Sequence, residues 1–134
     1  MAIMAKTSVT LEVKSLEVTK RQVMELSYDF TRFTDPDGQV SSALRGGKIT
    51  MKLKARNKSN LDFLKWIDSK EGKSGTIYIT NYKGEDLKKI EFKGAFCVSY
   101  SEEWKEANMN TEKIILSCKE IKINETFDFE RDWF

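Results

Sequence analysis

Ile49-Thr50-Met51-Lys52-Leu53-Lys54-Ala55-Arg56 alternates apolar and polar side chains without a break. Successive side chains of an extended chain point to opposite faces, so this run specifies a strand with one face in a core and one in water. The same period of two recurs on either side of it. Val9, Leu11 and Val13 alternate with Thr10, Glu12 and Lys14, and Met24, Leu26, Tyr28 and Phe30 alternate with Glu25, Ser27 and Asp29. Ile77 and Ile79 oppose Tyr78, Thr80 and Tyr82. Ile114, Leu116 and Cys118 share a phase that shifts to Ile121 and Ile123, which predicts a bulge near Lys119. Ile90, Phe92, Phe96, Val98 and Tyr100 read as one long single-sided strand, bent or bulged at Gly94.

One segment breaks the rhythm. Ser59 reads as a helix cap with Asp62 three residues on, and Leu61, Leu64 and Ile67 then follow helical spacing, flanked by Phe63 and Trp66. With Gly72 as terminator, the pattern predicts a helix over about residues 60–70 that plugs an opening or covers a sheet face. A second, short helical turn is expected near Glu102 to Glu106. The fold class is therefore mainly β, an antiparallel β-barrel or sandwich with one flanking α-helix. No linker, repeat or low-complexity tract divides the chain, so residues 1–134 are expected to form a single domain.

Composition narrows the chemistry. The chain has 134 residues, with 23 Lys and Arg against 21 Asp and Glu for a net charge of +2, and no histidine. Without histidine there is no Ser-His-Asp or Cys-His nucleophile pair, no imidazole ligand and no histidine proton shuttle. Cys97 and Cys118 are the only cysteines, too few for a zinc site alone and too far apart for a Cys-x-x-Cys motif. They read as small buried side chains, with a disulfide between neighbouring strands as the alternative. Met1 to Lys6 lacks the basic flank and apolar stretch of a secretory signal, and no apolar run has the length of a membrane span. Synthesis and folding in the cytoplasm are expected, without membrane insertion.

The motifs that could carry catalysis fail on spacing. Asp35-Pro36-Asp37-Gly38 starts like a calcium loop, but Val40 stands where the glycine belongs and Gly46 where the glutamate belongs. Gly72-Lys73-Ser74 lacks the leading glycine of a phosphate loop, because that position is Ile67. Glu102 and Glu103 are neighbours on a strand and point to opposite faces. Basic residues of the third strand (Lys52, Lys54, Arg56), with Tyr78 and Tyr82, could build an oligonucleotide- or oligosaccharide-binding barrel surface, although acidic residues intersperse elsewhere. No enzyme activity, cofactor or metal is expected.

The segment from Thr31 to Lys48 stands apart. It joins two strands, is far longer than an ordinary hairpin loop, and holds the only proline together with Phe33, Val40 and Leu44. Its apolar side chains point to a docking arm, and Arg45, Gly46 and Gly47 close it, the glycines permitting close backbone approach.

Leu26-Ser27-Tyr28, Gly38-Gln39-Val40-Ser41-Ser42 and Gly46-Gly47-Lys48-Ile49-Thr50 occur here in a characteristic order. Phe63-Leu64-Lys65-Trp66-Ile67, Gly75-Thr76-Ile77, Phe92-Lys93-Gly94-Ala95-Phe96, Tyr100-Ser101-Glu102 and Asp132-Trp133 continue it. Over about Thr7 to Phe134 the chain resembles the type VI secretion tube proteins (Hcp, or TssD) of the Bacteroidetes type. A Lys-rich third strand and Phe33-Thr34-Asp35-Pro36 depart from the pattern, leaving main tube subunit or specialised paralogue open.

The resemblance implies a barrel that assembles into homo-hexameric rings, which stack into the inner tube of a contractile injection system and can carry effectors. Its implied partners are the sheath, baseplate and spike, and the effectors, with no nucleic acid. The protein would be exported by the apparatus without a signal peptide. A tail-tube subunit of a phage-like particle is the near alternative. A ring needs a heterologous contact, and pairing of exposed strand edges between copies would supply it. In that setting Phe33, Val40, Leu44, Arg45, Gly46 and Gly47 are the candidate ring or stacking contacts, and Thr50, Lys52 and Lys54 the candidate lumen-facing residues.

Overall fold

The longest strand, β5 (Asp86–Glu103), organises the rest. At Gly94 its φ turns to +59°, and the chain changes neighbours there. Before the bend β5 pairs with β4 (Lys73–Thr80) and β7 (Glu120–Ile123); after it, apart from the Lys73–Ala95 pair with β4, it pairs with β6 (Thr111–Ser117). A side chain at Gly94 would press on Lys119, whose amide donates to the carbonyl of Lys93 at 3.1 Å. The bend at Gly94 and the phase shift around Lys119 are thus one feature, seen from facing strands.

The computed structural model describes residues 7–55, 60–106 and 110–131. Arg56, the Ser59 cap and Asp132-Trp133 lie outside the described residues. β1 (Ser8–Glu12), β2 (Lys20–Tyr28) and β3 (Lys48–Lys54) complete the antiparallel order β4-β1-β2-β3-β6-β5. Pairing of β4 with β5 closes these into a six-stranded barrel, and β7 with β8 (Phe127–Glu130) extends from β5 as a hairpin. Closure pairs most strand edges within the one chain and leaves few exposed for pairing between copies. Every barrel strand has a partner on both sides over part of its length, while β8 and the stretch of β5 from Phe96 to Glu103 are each paired on one side only among the described residues.

The alternating apolar rows fill the barrel. Leu11, Ile49, Met51, Leu53, Ile77, Ile90, Ile114 and Leu116 are fully buried. Three phases differ from those read in the sequence. A bulge between Val23 and Glu25 puts Val23 inside and leaves Met24 exposed. Beyond Gly94 the inward residues are Ala95 and Cys97, and a second bulge between Cys97 and Ser99 turns Val98 out. Around Glu102 to Glu106 there is no helix, since β5 runs through Glu103.

The helix α1 (Asp62–Asp68) packs on β5 with the face opposite to the one expected. Phe63 and Trp66 are buried, while Leu61, Leu64 and Ile67 are exposed. Apolar residues surround this short helix, so the larger aromatic pair decides. Trp66 stacks between Phe63 and Phe92 and donates its indole N–H to the Ala95 carbonyl at 3.0 Å, which satisfies the one polar group it buries.

Asp62 also differs from its expected role within a capping box. Its carboxylate accepts the amides of Glu17 and Val18, both at 3.0 Å, and pins the β1–β2 connection to the helix. Burial opposes its ionised form, but those amides, the Asn60 amide and the charge of Arg21 outweigh burial and hold its pKa below the ordinary range. A depressed carboxylate pKa contributes stability above the unfolded value and loses it as pH falls through the folded one. Asp62→Asn is expected to cost about 2 kcal/mol at neutral pH, with the difference shrinking as pH falls below the ordinary carboxylate range and through the lowered folded value. Urea titrations of both proteins across that range measure it.

Candidate assembly surface

Phe30 and Arg45 bracket the root of the arm. The arm leaves β2 and returns to β3 as an irregular ribbon, with bridges at Thr31–Arg45 and Thr34–Val40. The amide of Thr31 donates to Arg45 and that of Arg45 back to Thr31, at 2.8 and 2.7 Å. At the tip, Asp35 Oδ1 accepts the amides of Asp37 and Gln39, the local bond that aspartate offers a turn in Asp-Pro-Asp-Gly. Midway, Ser42 Oγ accepts the Phe33 amide at 2.8 Å. The long connection is held by its own hydrogen bonds.

The candidate contact residues divide into two sets. Leu44 packs against the barrel core, Gly46 lies against Phe30, and Gly47 is enclosed by Phe129, Arg131 and the Cys118 carbonyl. Arg131 donates to the Gly46 carbonyl, and also to Ser117 Oγ at 2.8 Å. This set roots the arm in its own barrel. Phe33 and Val40 instead face solvent, at 56% and 58% exposure. The Arg45 guanidinium covers one face of the Phe33 ring at 4.4 Å and holds it in place.

Thr50, Lys52 and Lys54, with Lys48, form the outward row of β3, opposite Ile49, Met51 and Leu53. Tyr78 and Tyr82 belong to the opposite wall, because β4 is three strands away from β3 in the closed barrel. The basic and aromatic sets that an oligonucleotide-binding barrel would combine therefore do not share a surface. The two cysteines are free thiols, and burial pushes Cys97 to about 11 and Cys118 to about 12. Such thiols are poor nucleophiles at neutral pH.

Sequence reading missed a buried polar cluster under the helix. Arg21 and Glu112 form an ion pair at 2.6 Å with side chains only 2% and 5% exposed. Arg21 also donates to the Lys54 carbonyl and lies over the Phe63 ring, while the Tyr100 hydroxyl contacts Glu112 Oε2 at 2.8 Å and also Glu102. Burial first, and then these two carboxylates, raise the Tyr100 pKa far above the ordinary phenol range.

A closed barrel with a flanking helix and a long ordered arm between its second and third strands narrows the relatives to test. The family profile described as hemolysin coregulated protein Hcp (TssD) matches residues 4–134. The chain belongs to the TssD (Hcp) family. Hcp1 from Flavobacterium johnsoniae superposes with a TM-score of 0.81 at 23% identity, over 92% of this chain and 99% of that one. Hcp1 from Salmonella typhimurium gives 0.72 at 11% identity, over 94% and 92%. A chain of the anti-feeding prophage baseplate gives 0.56 at 13% identity, over 92% and 95%. At these identities the superpositions establish the fold, and the family profile establishes the kinship. No curated protein sequence matches the chain.

Proposed function

We propose that this TssD-family chain is the structural subunit of a type VI secretion tube of the Bacteroidetes type. It assembles as hexameric rings that stack into a conduit for effectors, meets sheath and spike components, and leaves the cell with the apparatus rather than through a signal peptide. The arm is the observation that carries this reading. It is rigidly hydrogen-bonded and rooted in its own barrel, yet it presents Phe33 and Val40 to solvent. An ordered projection with an apolar tip gains by burying that tip against another copy, and a contact between unlike surfaces closes rings or extends stacks.

Thr50, Lys52 and Lys54 line the lumen in this arrangement, and the polar row suits a hydrated channel. The fold shared with an anti-feeding prophage baseplate chain favours a phage-like injection particle as the second reading. The test is to replace Phe33 and Val40 by serine. Neither side chain is buried within the chain, so thermal unfolding of the monomer should change little, within about 0.5 kcal/mol. Negative-stain images should show loss of stacked tubes or of rings, and normal tubes from the double variant would overturn the arm's role.

A further inference from the structure

On the outer face of the barrel, Glu25, Lys52, Lys113 and Ser101 stand in one row across β2, β3, β6 and β5. Lys52 and Lys113 are direct partners in the β3–β6 pairing. Like charges placed opposite one another destabilise a sheet, so folding supplies no reason for this pair. Lys48 and Lys54 extend the cationic row along β3. The acids nearby neutralise it poorly. Glu25 reaches Lys52 only at 4.0 Å and is largely exposed, and Glu103 is engaged by Lys105 at 2.9 Å. Beside Lys52 and Lys113 lies a shallow depression of about 320 Å³, edged by Glu25 and Leu26, in which Ser27 and Thr50 add hydroxyl groups.

We propose that this face binds acidic polypeptide segments of the cargo. The inference rests on the ring reading above, which sets the face in the lumen and repeats it around the ring. Paired ammonium groups beside hydroxyl donors suit a carboxylate side chain, which accepts from both. Nucleic acid suits the face less well. Its outward residues on β2, β3 and β6 from Glu25 to Lys113 include no aromatic ring for base stacking. Each contact alone is weak and screened by salt, but repetition around a ring multiplies it.

The test uses the assembled protein and a fluorescein-labelled polyglutamate peptide, with particle size read in parallel by light scattering and negative-stain images. Wild-type rings should bind the peptide, and affinity should fall as salt is raised. The Lys52→Gln/Lys113→Gln variant should form rings of unchanged size and bind at least ~10-fold more weakly, since each ring loses every copy of the pair. Absent binding by wild-type rings, or unchanged binding by the variant, overturns the proposal. Oligothymidylate binding more tightly through the same lysines makes the face a nucleic-acid surface, and loss of rings in the variant makes it a contact between copies; either result also overturns it. A wild-type protein that never forms rings refutes the ring reading instead. In that case, lysine-dependent peptide binding by the monomer still supports the face, and its absence overturns it.

Discussion

Glu112→Ala is expected to destabilise the protein by about 3–5 kcal/mol and to lower its melting temperature by roughly 10 °C. The loss of the carboxylate removes little attraction in itself, because taking both ions out of water has already consumed most of it. What remains is an Arg21 guanidinium with no counter-ion, almost wholly buried between the strands and the Phe63 ring. Among the described residues its Nη1 already lacks a partner, so truncation leaves one more face of the group unsatisfied. The Tyr100 hydroxyl loses its inner acceptor at the same time. Replacing both ions together, Arg21→Met with Glu112→Leu, should recover most of the loss, since a well-packed apolar pair avoids desolvation altogether. Urea denaturation of the single and double variants measures the coupling. A single variant as stable as the wild type would show that water reaches the pair.

The ion pair also shows where the sequence could have been read further. Glu112 is in phase with Ile114 and Leu116, and Arg21 is in phase with Val23. A lone charge on an apolar row is unremarkable, but opposite charges on two apolar rows are a signal that they meet. The alternation located the strands because burial of one face imposes it directly. It misplaced Met24 and Val98 because a bulge inserts one residue and reverses every side chain beyond it. Closure of the barrel was not legible, since alternation is identical in an open sheet and a closed one. The helix was found for its spacing, but apolar residues on all sides left its orientation to packing on β5, which brings Trp66 onto Phe92 and exposes Leu64. In the arm, Pro36 and Gly38 marked the turn. The split between rooted and projecting residues depends on Arg131, far along the chain, and no local pattern encodes it.

Gly47→Ala should be as damaging as truncation of the ion pair, for a different reason. Gly47 has φ +90°, where a residue with a Cβ is strained by about 1–3 kcal/mol. Space is also lacking, since a Cβ there would sit 2.5 Å from Arg131 Nη2, 2.9 Å from the Phe129 ring and 3.0 Å from the Cys118 carbonyl. The arginine can swing away, but only by leaving Ser117 and the Gly46 carbonyl, and the Cys118 carbonyl is fixed because its own amide is bonded to Gly47 at 2.7 Å. Strain and crowding together should cost about 3–5 kcal/mol and loosen the root of the arm from β8. Gly38 separates the two effects. Its φ of +83° is nearly the same, yet nothing lies within 4 Å of the position a Cβ would take. Gly38→Ala therefore carries the backbone strain without the crowding and should cost only about 1 kcal/mol. In thermal unfolding the two alanine variants should differ by several degrees. If the arm's root positions the tip for assembly, Gly47→Ala should also lose tubes at temperatures where its barrel is still folded, while Gly38→Ala keeps them. Equal melting temperatures for the two would mean that the barrel yields around Gly47, and that the arm is rooted less firmly than its contacts with Phe129 and Arg131 require.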